Sequence, residues 1–114
     1  MNVQLPAEAR AGKRFRVHIG PRPGSGQAEV IVGFAKRKDL ADSRFRVSLN
    51  GLDLKMAGDL ADTKMIGGAA ARAIRFHCPL DPVKRGYNEI GVQQVAGLTG
   101  QQVVWVEIRL DPND

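Results

Sequence analysis

The stretch that decides the fold is Val103-Val104-Trp105-Val106-Glu107-Ile108-Arg109-Leu110, close to the end of the chain. Its β-branched and aromatic residues favour a β-strand, in which successive side chains point to opposite faces. The even-numbered positions carry only apolar side chains, whereas the odd-numbered positions place a tryptophan between a valine and two charged residues. The sequence therefore predicts a strand whose even-numbered side chains lie in a hydrophobic core and whose odd-numbered face is partly exposed.

Shorter alternating segments precede this strand and indicate a domain built of β-strands. Residues 86–110 are predicted to form a closing hairpin. Asn50-Gly51 is predicted to form a tight hairpin turn, because both residues readily adopt positive φ. Residues 28–34 are apolar enough to be covered on both faces for part of their length. The other segments predicted as strands are residues 2–5, 14–19, 44–49, 52–54, 72–78 and 88–93.

The composition agrees with one domain that covers residues 1–114. Its 13 glycines and 6 prolines punctuate the apolar segments, as in an all-β domain. Residues 55–71 are predicted as a surface loop with a short helix near residues 58–65. No apolar run approaches the roughly 20 residues that a membrane-spanning helix needs, so no membrane contact is predicted. The pattern fits an antiparallel β-sandwich of about seven or eight strands, with Greek-key or jelly-roll topology.

The charge balance points to an anionic partner. The chain has 17 lysines and arginines against 12 aspartates and glutamates, for a net charge of +5. Such a balance suits nucleic acid, an acidic polysaccharide or an acidic neighbouring domain, and it does not choose among them.

Three segments resemble galactose-binding-like β-sandwich domains. Phe45-Arg46-Val47-Ser48-Leu49-Asn50-Gly51 resembles their strand and following turn. Residues 76–92, with Lys84, Gly86 and Asn88, look like their lysine-glycine-asparagine segment, and residues 103–110 are similar to their closing strand. Domains of this family are non-catalytic accessory units of bacterial glycoside hydrolases, and some bind carbohydrate while others brace the catalytic domain. The resemblance implies a jelly-roll fold and a secreted or periplasmic location within a larger chain, which the sequence itself leaves open.

Outward-facing arginines give the candidate binding surface. By alternation, the positions that point outward are Arg14, Arg16, His18, Arg44, Arg46, Arg75, His77 and Arg109. If their strands share a sheet, these side chains form a basic stripe with Trp105 as an aromatic platform. The residues predicted to bind ligand are Trp105, Arg109, Arg75, His77, Arg46 and Arg44. Arginine offers a planar fork for carboxylates and sulfates, and tryptophan can stack on a sugar ring.

A structural interpretation of the same residues stays open. The arginines would pair with Glu29, Glu89 and Glu107 and would discourage association at strand edges. Trp105 would then be covered by a loop or by a neighbouring domain.

Catalytic chemistry is not predicted. Cys78 falls on the inward face of its strand and His77 on the outward face, so the two side chains diverge. No zinc-type ligand spacing is present and no cofactor is predicted. The pairs Asp39/Asp42 and Asp59/Asp62 leave a structural calcium possible, with turn hydrogen bonds or helix caps as the alternative use.

The sequence thus predicts a non-catalytic carbohydrate-binding module or accessory domain of a bacterial carbohydrate-active enzyme. Its partners would be a polysaccharide or oligosaccharide, with anionic polysaccharide favoured by the arginines, and the catalytic domain of the parent enzyme. Nucleic acid is the less favoured partner because no aromatic-rich binding string is present. The alternative is a purely structural domain that packs against a catalytic domain or another protein.

Overall fold

The structure is a computed structural model that describes residues 5–21, 24–66 and 69–111. Within these residues the chain forms nine β-strands and one short 3₁₀ turn, Thr63–Met65. The strands are β1 (Ala7–Glu8), β2 (Lys13–Ile19), β3 (Gln27–Phe34), β4 (Arg44–Leu49), β5 (Leu52–Asp53), β6 (Lys55–Asp59), β7 (Arg72–Cys78), β8 (Gly86–Ala96) and β9 (Gln102–Asp111).

The strands form two antiparallel sheets packed face to face. The five-stranded sheet has the order β1-β9-β3-β7-β6 and the four-stranded sheet has the order β2-β8-β4-β5. Apart from the short edge strands β5 and β6, consecutive strands alternate between the sheets in the manner of a jelly roll. The predicted all-β antiparallel sandwich is therefore confirmed, with nine strands in the described residues where seven or eight were expected.

The predicted closing hairpin is wrong, although both of its strands exist. β8 pairs with β2 and β4, whereas β9 pairs with β1 and β3. The connection at residues 97–101 thus passes from one sheet to the other. Sequence proximity and a glycine-containing connection suggested direct pairing, but each of the two strands already has a partner on both sides within its own sheet.

A β-bulge also changes the predicted faces of β9. The register with β3 shifts between Gly33 and Phe34, which pair with Trp105 and Val103. Val103 therefore lies in the main core although it was predicted to face outward, whereas Val104 is buried, as predicted, but outside this cluster. One extra residue in a strand reverses the alternation on one side of it. Val106, Ile108 and Leu110 pack against the core as predicted.

The core lies between the sheets and follows the alternation elsewhere. Phe15, Val47 and Ile90 from the four-stranded sheet meet Val30 and Phe76 from the five-stranded sheet, and all five are buried. Phe34 stacks on Phe45 across the interface, with ring centroids 4.0 Å apart. Strand β3 is buried on both faces from Val30 to Phe34, as its continuous apolar sequence predicts.

Two local predictions need correction. The stretch at 55–71 begins with a strand, β6, rather than a helix, and only the 3₁₀ turn Thr63–Met65 is helical in its described part. Glycines and small residues obscured the strand, because β6 is an exposed edge strand without a clear apolar face. The first edge strand, β1, begins after Pro6, and residues 2–4 of the predicted strand lie outside the described residues.

Asn50-Gly51 forms the predicted hairpin turn between β4 and β5. Both residues have positive φ, 49° at Asn50 and 89° at Gly51. The Asn50 side chain also reaches the turn before β8, where its amide donates to Pro82 O at 2.8 Å. The turn therefore fixes two connections at one end of the four-stranded sheet.

Candidate functional site

Trp105 lies on the outer face of the five-stranded sheet, named here the tryptophan face, and a loop covers it in part. Its ring packs with Ile31, Ile66 and Ala70 in a small second hydrophobic cluster. Its indole Nε1 donates to Glu107 Oε1 at 2.9 Å. The indole is thus half-buried by its own chain, which is the structural alternative that the sequence left open for Trp105.

The arginines of the tryptophan face are paired with glutamates. Arg109 Nε lies 3.1 Å from Glu107 Oε2, and Arg75 Nε lies 3.5 Å from Glu29 Oε2. On the other sheet, Arg14 Nε lies 3.8 Å from Glu89 Oε1. The predicted pairing of arginines with Glu29, Glu89 and Glu107 is therefore confirmed.

The six predicted binding residues do not form one surface. Their strands belong to two sheets, so the single basic stripe, which required a shared sheet, does not exist. Trp105, Arg109, Arg75 and His77 share the tryptophan face, Arg46 lies on the outer face of the four-stranded sheet, and Arg44 lines a cleft at the side of the sandwich. Ligand binding by these residues stays a prediction.

The side cleft lies between the edges of the two sheets. It has a volume of about 540 Å³, and Phe45, Ile74 and Phe76 contribute apolar surface to it. Met56 and Val95 also line it and are 53% and 52% exposed. Asp42, Ser43, Arg44 and Arg72 also line the cleft, so it combines apolar and charged surface.

The outer face of the four-stranded sheet, named here the tyrosine face, carries an exposed aromatic side chain among arginines. Tyr87 is 54% exposed, and it is the one aromatic residue among the large hydrophobic residues found exposed in the described chain. His18 meets its ring edge-on, with centroids 5.0 Å apart. The Arg16 guanidinium carbon lies 4.2 Å from the ring centroid, within the range of a cation–π contact. These two neighbours hold the phenol ring in place on the surface.

The turn before β8 fixes the position of Tyr87. Gly86 has φ of 96°, a conformation that favours glycine, and it begins the strand. Asn88 is fully buried, and its side chain bonds the backbone of Lys84 in both directions, at 2.7 and 2.8 Å. Since Asn88 points inward, Tyr87 points outward.

A shallow depression lies further along β8, where Gly91 has no side chain. Arg14 and Ser48 pair with Gly91 from the two neighbouring strands. The depression, named here the Gly91 trough, has a volume of about 290 Å³, and Arg46 and Gln93 also line it. A Cβ at Gly91 would lie only 2.7 Å from Ser48 Oγ, so this position is restricted to glycine unless Ser48 moves.

The tyrosine face carries three arginines and two acidic residues. It presents Arg14, Arg16 and Arg46 with Glu89 on β8 and with Asp53, which pairs with Ser48 from β5. Arg46 has no ion-pair partner within the described residues. The face therefore combines an aromatic ring, unpaired positive charge and amide and hydroxyl groups on a rigid sheet.

Sequence reasoning missed Tyr87 and Gly91, although signals for both were present. The alternation of residues 86–93 that places Ile90 and Val92 inward also places Tyr87 and Glu89 outward. A glycine inside a strand often marks a close approach of another group, as Gly91 does here for Ser48. The prediction centred on the single tryptophan, and it could not separate the two faces because the assignment of strands to sheets is not visible in local alternation.

Cys78 and His77 do not form a catalytic pair. Cys78 is fully buried, and its burial raises the pKa of the thiol to about 11. His77, one position earlier on β7, is exposed. The thiol therefore remains protonated and out of reach of a base, in agreement with the predicted divergence of the two side chains.

The aspartates considered for calcium have other partners. Asp59 accepts two hydrogen bonds from Arg72, at 3.1 and 3.2 Å. Asp39 accepts from Thr99 Oγ1 at 3.1 Å, and Asp62 caps the 3₁₀ turn through the Lys64 amide. Among the residues that the structure describes, no three histidine, cysteine or acidic side chains are grouped to hold a metal ion.

No helix in the described ranges has the length and apolar character needed to cross a bilayer.

Comparison with known proteins did not indicate a function for the tyrosine face: no model of a protein family matches the chain, and no curated protein matches it.

Proposed function

We propose that this chain is a non-catalytic carbohydrate-binding domain that serves a carbohydrate-active enzyme, and that its ligand lies across the tyrosine face. The observation that carries the proposal is the exposed ring of Tyr87, held by His18 and Arg16 on the outer face of the four-stranded sheet. Sugars present apolar C–H faces and hydroxyl groups, which match an aromatic ring beside guanidinium, amide and hydroxyl groups. The jelly-roll topology and the resemblance of the turn segments to galactose-binding-like domains support the same function.

Binding by this surface requires no chemistry from the protein. Asp39, Asp42 and Asp59 share a cleft with Arg37 and Arg72, where Asp59 is bound by Arg72, and burial keeps the Cys78 thiol protonated. The sheet presents its side chains in fixed positions, which reduces the entropy lost when a flexible glycan is bound. The domain would therefore act by holding a polysaccharide near an enzyme.

The test is affinity electrophoresis of the isolated domain in gels that contain neutral or anionic polysaccharides. We expect retardation by at least one of them, and we expect Tyr87→Ala to weaken binding by about ten-fold, or about 1.4 kcal/mol, through loss of ring contact. Tyr87→Phe is the matched control, since it retains the ring and should bind nearly as the native protein does. A folded native sample that no polysaccharide retards would contradict the proposal.

The second candidate function is a structural domain that packs against a catalytic domain. The side cleft favours it, because Met56 and Val95 are large apolar side chains exposed beside an apolar interior. Such a domain would show no Tyr87-dependent retardation in the same gels. The two functions are therefore separated by one experiment.

A further inference from the structure

We propose that the Gly91 trough is a subsite for a carboxylate or sulfate group, so that the ligand of the tyrosine face is an anionic glycan. This inference rests on the proposed function and specifies its substrate class. It concerns Arg14, Arg46, Ser48 and Gln93, which surround Gly91 on three adjacent strands.

The sheet register brings two arginines to opposite sides of the trough. Arg14 on β2 pairs with Gly91 on β8, and Arg46 on β4 pairs with Gln93 two residues further along β8. Neighbouring strands are about 4.8 Å apart, so the backbones of β2 and β4 lie roughly 10 Å apart across β8. Because Gly91 lacks a side chain, a small group can rest on its backbone between the two arginines.

The charges at the trough are available to a ligand. Arg46 has no carboxylate partner within the described part of the chain. Arg14 faces Glu89 at 3.8 Å, but the two side chains are 76% and 48% exposed. A long, exposed ion pair of this kind contributes little and is readily exchanged for a better acceptor. Both guanidinium groups can therefore turn toward an anion.

The chemistry of the lining selects a carboxylate or a sulfate on a sugar. A guanidinium donates two parallel hydrogen bonds to such a group. The Ser48 hydroxyl and the Gln93 amide can bond the ring hydroxyls beside it. Gly91 lies four residues from Tyr87 on the same strand, or roughly 13 Å away, so one extended glycan can reach both places.

A nucleic acid strand is a poorer match to this face. Proteins that bind single strands stack successive bases on several aromatic side chains. In the described chain, Tyr87 is the one aromatic residue among the strongly exposed large hydrophobic side chains. The isolated ring and the separate anion site favour a glycan that carries spaced negative charges.

The experiment compares dextran sulfate and polygalacturonate with neutral dextran and with poly(dT), using affinity electrophoresis and titration calorimetry. The variant Arg46→Gln removes one arginine from the trough. Lys55→Gln is the matched control, because it removes one positive charge from the exposed edge strand β6 of the other sheet. Circular dichroism verifies that both variants are folded. We expect Arg46→Gln to weaken binding of at least one anionic polysaccharide about ten-fold, and Lys55→Gln to change it less than two-fold.

Several outcomes would overturn the inference. Equal losses in the two variants would show that only net charge attracts the polysaccharide. Tighter binding of poly(dT) than of either anionic polysaccharide would show that the ligand of the tyrosine face is a nucleic acid and not a glycan. Tyr87-dependent binding of neutral dextran without an effect of Arg46→Gln would remove the anion subsite and leave the proposed function standing. Failure to bind any polysaccharide would contradict both the anion subsite and the proposed carbohydrate-binding function.

Discussion

Asn88 shows how a single polar side chain can hold a turn and fix the position of an exposed residue, Tyr87. It is completely buried, and besides its bonds to Lys84 it accepts from Asn50 Nδ2 at 3.0 Å. Asn50 in turn accepts from the Glu89 amide at 2.9 Å. The two asparagines thus tie the turn at residues 80–86 to the hairpin between β4 and β5. Tyr87 lies between two residues held by this network.

We expect Asn88→Ala to lower the free energy of unfolding by about 3 kcal/mol. The substitution leaves the part-buried Lys84 amide and carbonyl, and the Asn50 amide, without their partner, and each unsatisfied group costs about 1–3 kcal/mol when it is shielded from water. Urea denaturation followed by circular dichroism measures the change. Gln93→Ala, on the exposed face of the same strand, is the control and should change the stability by less than about 0.5 kcal/mol. Equal stability of the two variants would contradict the role assigned to Asn88.

The short alternating segments were predictable at this scale, whereas exceptions to alternation were not. Phe15, Ile90 and Phe76 occupy the inward positions that their spacing predicts. Val103 does not, because the bulge opposite Gly33 depends on pairing with a strand some 70 residues earlier. The same alternation predicts that Tyr87 points outward. The local sequence does not show, however, to which of the two sheets the strand that begins near Tyr87 belongs.

At the scale of elements, the stretch between β6 and β7 covers the tryptophan face. Ile66 follows the 3₁₀ turn and is 8% exposed. It packs with Ile31, Ala73 and the ring of Trp105. Gly33 permits this contact, since a Cβ there would lie 3.0 Å from Trp105 Cβ and 3.1 Å from Ile66 Cδ1. The loop can therefore pack closely on β3 because Gly33 has no side chain.

Because the chain has one tryptophan, its fluorescence reports on this loop. We expect Ile66→Ala to shift the emission to longer wavelength and to increase quenching by acrylamide, since it removes apolar cover from the indole. The stability should fall by about 2 kcal/mol, at the lower limit for large-to-small changes in a core. Leu98→Ala is the control, because Leu98 is 89% exposed and lies outside the cluster. Unchanged emission in Ile66→Ala would contradict the packing of Ile66 on Trp105.

The identity of most strands could be read from the sequence, but their grouping into sheets could not. Strands β2 and β4 both show outward arginines, as do β7 and β9, and nothing local separates the first pair from the second. The partners of β2 and β9 lie far away in the chain. The predicted basic stripe failed for this reason, and the candidate site became visible only when β8 was placed between β2 and β4.

On the scale of the whole molecule, the thiol of Cys78 reports on separation of the two sheets. Cys78 is fully buried in the core, and its Sγ donates to Pro79 O at 3.3 Å. Burial raises the pKa of the thiol from 9.0 to about 11. Below pH 9 the thiol is protonated in both the folded and the unfolded protein, so it does not affect stability there. Between pH 9 and 11 the unfolded thiol ionises first, and stability falls as the pH rises.

We therefore expect the native protein to lose about 2 kcal/mol of stability between pH 8 and pH 11 that Cys78→Ala does not lose. Denaturation of both proteins across this range measures the difference, because other groups that titrate there affect both alike. We also expect a thiol reagent to label the native protein slowly at pH 8 and rapidly in denaturant. Identical pH dependence of the two proteins would show that the buried thiol makes no such contribution.

The placement of β8 and β9 in opposite sheets has a consequence for how the polypeptide reaches its final form during synthesis. β1 pairs with β9, and β2 pairs with β8, so the first strands of the domain are completed only by its last ones. While the chain emerges from the ribosome, the first half of the domain would lack these partners until β8 and β9 have been made. Arginines along β2 and β4 would discourage such an incomplete sheet from associating with another chain during this interval.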